Sequence, residues 1–278
     1  MEELLAPGIR TCAGCGAAIA IRMVLRAVQK VVGKNFIVCN ATGCIEVATT
    51  PYPETAWKIP WIHSAFENVA AVATGVSNAM KYLNKDTKVI AIGGDGATFD
   101  IGFGALSGML ERNEDVLYIC YDNEAYMNTG VQRSSSTPKY ANTTTTPVGE
   151  KIKGNLKRKK DLVRIAAAHN VYAASTTIYN FKDLENKVMK ALKMNGAKYI
   201  QIFAPCATGW GMPEELTVEA ARLAVNCGIY DVFEVINGKF ILNYRPAKLI
   251  PVTEYFKIQR RFRHLTKEEI DEIQKEIN

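Results

Sequence analysis

Short apolar runs ending in glycine, asparagine or proline turns alternate along this chain with segments of helical apolar spacing, and that alternation limits the possible folds more than any other feature. NFIVCN, TKVIAIGGDG, DVLYICYDN, VYAAST and KYIQIFAP read as buried strands. Around them AAIAIRMVLRAVQKVV, AFENVAAVATGVSNAMKYL, FGALSGMLERN, DLVRIAAAHN and KDLENKVMKALKM read as helices. Strands that are apolar throughout belong in a sheet covered on both sides, so the expected class is α/β, a mostly parallel sheet with helices on both faces. Past residue 228 the pattern changes. VFEVINGKFILNY reads as a hairpin turning at Asn237-Gly238, RPAKLIPVTEYFKIQRRFRHL as extended and then helical, and LTKEEIDEIQKEIN as a charged terminal helix. The division expected is an α/β domain over residues 1–228, with a cysteine-bearing N-terminal segment, and a hairpin with an arm over 229–278. That arm either wraps a partner subunit or lies on its own domain.

With 48% hydrophobic and 22% charged residues the composition is that of an ordinary globular protein, and 278 residues suffice for a large core. No apolar run approaches the roughly 18 residues of a membrane span. The opening MEELLAPGIR lacks the basic region and apolar core of a secretory signal, so a cytoplasmic location is expected. The net charge of +6 is concentrated in KIKGNLKRKK, where six of the ten residues 151–160 are Lys or Arg. This run is either a solvated loop or a landing site for an acidic partner. Nucleic acid is not expected, because no aromatic platform or recognition module accompanies it. SSSTP and TTTTP read as short low-complexity patches.

Seven cysteines are many for a reducing compartment, and a chain of this size needs no disulfide framework. Cys39 and Cys120 lie within strand-like runs and Cys227 ends an apolar helix, so these three read as small buried hydrophobes. Cys12, Cys15, Cys44 and Cys206 each lie in a turn marked by Gly or Pro. The pair in TCAGCG fits half a zinc site, a thiol–disulfide couple or half an iron–sulfur anchorage.

In an open parallel sheet, ligands bind at the carboxyl ends of the strands. AIGGDGATFDIGFG places Gly93, Gly94, Asp95 and Gly96 at such an end, with a helix following. It is neither a Walker A loop nor the dinucleotide fingerprint. An Asp between glycines instead suits a divalent cation bridging a diphosphate. Twenty-eight residues on, Asn123 ends the next strand, and adjacent parallel strands would set it beside Asp95.

GDG followed by that Asn resembles the thiamine-diphosphate/Mg²⁺ motif. RTCAGCGAAIA, NATGCIEV, TPYPETAWKIPWIHSAFENVAA, YDNEAYMNTGVQRS and FAPCATGWG, in this order, resemble the β subunits of the 2-oxoacid:ferredoxin oxidoreductases, those acting on pyruvate above all. The resemblance covers nearly the whole chain. It implies a thiamine-diphosphate-binding fold and oxidative decarboxylation of pyruvate to acetyl-CoA and CO₂, reversibly, with electrons passing through a [4Fe–4S] cluster to ferredoxin. It implies Mg²⁺ ligands at Asp95, Asn123 and the Ala125 carbonyl, diphosphate contacts at Gly43, Gly94 and Gly96, and Asn128 beside the reacting carbonyl. Cys12, Cys15, Cys44 and Cys206 would supply the cluster thiolates. Four thiolates also suit zinc, which leaves a zinc-stapled non-catalytic subunit as the reading from another class. A cluster can take electrons singly, and zinc cannot. 2-Oxoisovalerate, 2-oxoglutarate and oxalate are alternative substrates. The carboxylate that activates thiamine and the ferredoxin-type cysteine run are both missing, so α, γ and ferredoxin-like δ partner subunits (or fused equivalents), coenzyme A and external ferredoxin are implied. His63 reads as a proton-transfer group or a structural histidine, and Glu67 as a cofactor contact or a helix-start residue; Asn68 completes that cluster.

Overall fold

The computed structural model describes residues 1–51 and 53–277. In chain order the elements are α1 (Gly16–Val32), β1 (Phe36–Ala41), α2 (Cys44–Thr49), β2 (Trp61–Ser64), α3 (Val69–Tyr82), β3 (Lys88–Gly94), α4 (Phe103–Glu111) and β4 (Val116–Asp122). After a long loop come α5 (Leu162–Ala167), β5 (Tyr172–Thr177), α6 (Phe181–Leu192), β6 (Lys198–Phe203), α7 (Ala207–Trp210) and α8 (Thr217–Asn226). The chain ends with β7 (Val232–Ile236), β8 (Lys239–Tyr244), α9 (Thr253–Phe256) and α10 (Lys267–Ile277).

Among the described residues, eight strands form one sheet in the order β2-β1-β3-β4-β6-β5-β7-β8. The first six are parallel, while β7 pairs antiparallel with β5 and β8 with β7. Successive residues of a strand face opposite sides, and the core divides accordingly. Ile90, Ile92, Leu117, Ile119 and Ile200 pack beneath α1, α6 and α8. Val89, Ala91, Tyr118, Cys120 and Tyr199 pack beneath α3, α4 and α5 on the other face. Cys39, Cys120 and Cys227 are buried in these layers, as their runs suggest. Among the described residues no helix is long and apolar enough to cross a membrane.

Two features depart from the local pattern. The four-residue edge strand β2 forms from WIHS, a stretch with no long apolar run to mark a strand. A π-helical turn, Gly96–Ile101, inserts between Asp95 and α4 and is closed by Gly102 N donating to Ala97 O at 3.0 Å. Wide turns of this kind concentrate at functional sites. At the far edge, Asn237 (φ 50°) and Gly238 (φ 74°) make the expected hairpin turn, and the hairpin joins the main sheet. The arm lies on its own domain: Tyr255, Phe256 and Phe262 enter the core beside Trp210.

Candidate active site

Strands β1, β3, β4 and β6 are neighbours at the centre of the sheet, and each ends in a site segment. β1 runs into Thr42-Gly43-Cys44, β3 into Gly94-Asp95-Gly96, β4 into Asn123-Glu124-Ala125, and β6 into Pro205-Cys206. The pairing Gly94↔Tyr121 and Tyr121↔Ile202 sets these ends side by side.

Between the first three segments lies a cavity of about 250 Å³. Its lining includes Gly43, Gly94, Asp95, Gly96, Asn123, Ala125 and Asn128, so the structure gathers the sequence-identified thiamine-site residues in one place. Thr42, Phe66 and Tyr126 also line it. Of the lining residues, only Asp95 carries a carboxylate. Asp95 is buried, accepts from Ser134 Oγ, and receives the Asn123 amide at 3.4 Å. Burial, and then the charge of Asp122, push its carboxyl well above the usual range. A bound cation would reverse that shift.

The Asn123 side-chain amide donates to both Asp95 Oδ1 and the Ala125 carbonyl oxygen at 2.9 Å, which brings a carboxylate, a side-chain amide and a backbone carbonyl together. Rotated about its last bond, the same amide would present its oxygen, and one carboxylate with two neutral oxygens is a donor set of the kind Mg²⁺ takes.

A second cavity, of about 100 Å³, is lined by Cys12, Cys15, Cys44 and Cys206. Cys15 and Cys206 face each other across an isolated backbone bridge. Two glycines permit this approach. A Cβ at Gly16 would stand 2.4 Å from Pro205 O, and one at Gly14, whose φ is +63°, 2.4 Å from Glu214 O. Amide groups point at the sulfurs: Ala18 N at 3.4 Å from Cys15 Sγ, Gly209 N at 3.2 Å from Cys206 Sγ. Burial pushes the Cys44 thiol up to about 12 and Cys206 to about 11, and raises Cys15. Among the described residues, no three His, Cys, Asp or Glu side chains close tightly enough for a single metal ion. Four thiols are a donor set that suits a [4Fe–4S] cluster and a tetrahedral zinc ion alike. Cys44, Asn123 and Asn128 line both cavities and form the wall between them.

Residues 41–202 match the C-terminal TPP-binding domain of thiamine pyrophosphate enzymes. The chain is 57% identical to pyruvate synthase subunit PorB of Methanocaldococcus jannaschii, covering 100% of this chain and 95% of that one. The chain belongs to the family of PorB-type pyruvate synthase subunits. Ketoisovalerate oxidoreductase subunit VorB of Pyrococcus abyssi is a relative of the PorB family, 43% identical to this chain over 99% of its length and 90% of VorB's. The PorB-type fold is shared by a 2-oxoglutarate:ferredoxin oxidoreductase from Magnetococcus marinus, with a TM-score of 0.64, 21% identity and coverage of 97% and 94% of the two chains.

Around this PorB-type site stands a second set of residues that local pattern does not flag. SSSTP is a latch: Ser134 bonds Asp95, the Ser135 amide bonds Asp100, Ser136 bonds Asp122, and Thr137 bonds Glu124 O. The basic loop is mostly exposed, but its last two lysines turn inward. Lys159 Nζ bonds Asp122 at 2.7 Å and Glu124 at 2.9 Å, and Lys160 reaches Phe99 O. Lys153 and Arg158 pair with Glu269 and Glu276 of α10. Glu124 has φ +69° and also receives Arg261 at 2.6 Å. Burial pushes the Glu124 carboxyl up, but the charges of Lys159 and Arg261 win and hold it below its usual range. The Lys159→Met substitution leaves Asp122 without its cation and Glu124 with only one. It is expected to destabilise the chain by about 3 kcal/mol, read as a thermal midpoint several degrees lower.

His63 stands outside both cavities. It bonds Thr42 Oγ1 at 2.7 Å and lies 3.8 Å from Glu46, so it touches a residue of the thiamine-side cavity without lining it. Glu67 lines neither cavity, and Asn68 caps α3 without a side-chain bond.

Proposed function

We propose that this chain is the thiamine-diphosphate-binding β subunit of a pyruvate:ferredoxin oxidoreductase, or pyruvate synthase, working reversibly between pyruvate with coenzyme A and acetyl-CoA with CO₂. The observation that carries the reading is the shared wall of Cys44, Asn123 and Asn128 between a diphosphate-type cavity and a cavity of four thiols. Asp95, Asn123 and the Ala125 carbonyl would hold Mg²⁺, and the glycines Gly43, Gly94 and Gly96 leave the cofactor's diphosphate room to approach the backbone. Thiamine diphosphate, when bound, supplies the nucleophile and electron sink for losing CO₂ from a 2-oxoacid, and a [4Fe–4S] cluster supplies acceptance of single electrons. Asn128 stands at the wall, where its amide would donate to the oxygen of the reacting carbonyl.

The chain's residues also indicate what must come from elsewhere. With Asp95 as the one carboxylate lining the cavity, the group that activates thiamine belongs to a partner subunit. Further partners are a subunit that selects the 2-oxoacid and a ferredoxin-like subunit or ferredoxin that removes electrons.

Because burial raises the Cys15, Cys44 and Cys206 thiols, these three are protonated at neutral pH, and ligating iron must expel those protons. Raising the pH therefore favours the cluster. Anaerobic reconstitution of apo-protein is expected to be several-fold more complete at pH 8.5 than at pH 7, followed by visible absorbance at matched iron and sulfide.

The substrate is settled by offering the assembled complex a panel of 2-oxoacids with coenzyme A and a viologen dye. Fastest reduction with pyruvate is expected. Fastest reduction with 2-oxoisovalerate would move the chain to the VorB-like activity, and no reduction with any 2-oxoacid would remove the reading.

A further inference from the structure

The two cavities share more than a wall. Cys206 precedes α7, and Trp210 ends it, so a single short turn carries both a thiol and an indole. Gly209 inside this turn has no room for a side chain, since a Cβ there would meet Met127 Sδ at 2.2 Å, so the turn is pressed against the loop that follows Ala125. Trp210 Nε1 donates to the Asn123 carbonyl at 2.9 Å. Arg261 lies over the indole, its guanidinium carbon 3.6 Å from the ring centroid, and also bonds Glu124 at 2.6 Å. Arg261 is itself fixed by Gln259 Oε1 at 2.8 Å and the Tyr255 hydroxyl at 3.1 Å. The 123–124 peptide is thus gripped on its carbonyl by the indole and through the Glu124 side chain by the arginine. Glu124 holds a left-handed conformation that a glutamate does not adopt without such support.

We infer that Trp210 and Arg261 act as a positioning bridge that ties the place of Asn123 in the thiamine–metal cavity to the place of Cys206 in the thiol cavity. The inference rests on the reading of the two cavities given above. Neither residue touches the reacting atoms; Trp210 acts through the Asn123 carbonyl and Arg261 through Glu124. A bridge of this kind couples the two loadings reciprocally: whatever factor the cluster adds to thiamine diphosphate affinity, thiamine diphosphate adds to the cluster's stability. It also makes the cluster's electronic environment respond when the neighbouring cavity fills.

The test compares the native complex with one carrying Trp210→Phe, which keeps a ring beneath Arg261 but removes the N–H donor and leaves a small cavity where the larger indole stood. Thiamine diphosphate affinity is measured in Mg²⁺, and the electron paramagnetic resonance spectrum of the reduced cluster is recorded with and without the cofactor. The native spectrum is expected to change on cofactor addition. In Trp210→Phe that change should be lost, the dissociation constant should rise about tenfold, the loss of one buried hydrogen bond, and iron content should stay native. An unchanged affinity, a persisting spectral response, or loss of iron together with the cofactor would each overturn the bridge, the last by showing a general structural pillar instead. If Trp210→Phe does not assemble, Arg261→Lys keeps the charge at Glu124 without the flat guanidinium, and the same loss of spectral response is required of it. A native complex that binds no thiamine diphosphate or carries no cluster would remove the underlying reading and not merely the bridge.

Discussion

Asp95→Ala is expected to abolish retention of thiamine diphosphate by the assembled complex, with affinity falling at least about a hundredfold. Asp95 is the one anionic group lining its cavity, and the oxygens it shares the site with are neutral, the Asn123 amide and the Ala125 carbonyl. Without the carboxylate nothing in that set offsets the cost of dehydrating Mg²⁺, and without the ion nothing offsets the repulsion between the diphosphate and the carboxylates behind it. Asp122 and Glu124 are already committed to Lys159 and Arg261, so neither can take over. Asp95→Asn, which keeps the shape and the bond to Ser134, is expected to lose the cofactor as well and so to separate charge from packing. Cofactor content after gel filtration in Mg²⁺ is the readout, and native retention in either variant would remove the metal assignment.

Cys206→Ser is expected to separate the two halves of the site. Cys206 faces Cys15 across the backbone bridge and borders Cys44, so its loss opens the cage at its centre. The variant should lose its cluster iron and its pyruvate-dependent dye reduction, while thiamine diphosphate stays bound with affinity changed by about tenfold at most, the range of an intersite coupling. Serine keeps the volume and the hydrogen-bond acceptor for Gly209, so the turn itself should survive. Dye reduction at the native rate would show that the thiols do not lie on the electron path.

The parts of this site legible in sequence are those fixed by short-range chain geometry. Asp95 and Asn123 can be paired because each ends a strand, and adjacent parallel strands in one sheet leave little freedom in where those ends fall. Cys12, Cys15, Cys44 and Cys206 can be grouped because each sits in a turn. The supports could not be read in the same way. Lys159 meets Asp122 across 37 residues and Arg261 meets Glu124 across 137, and no local pattern carries such pairings. A run of like charge therefore looks like a surface loop when four of its cations are bound to the chain's own groups. SSSTP looks featureless for the same reason, because its hydroxyls matter only through the carboxylates they reach. The edge strand β2 escapes because four residues pair on one side only and need no apolar run.

The most direct test of the central claim is metal analysis of the anaerobically purified complex, native against Cys206→Ser. The account predicts that the variant lacks about four iron and about four acid-labile sulfide per copy of this chain that the native complex holds, with no zinc in either. Equal iron and sulfide in the two, or stoichiometric zinc that leaves with Cys206, would contradict it.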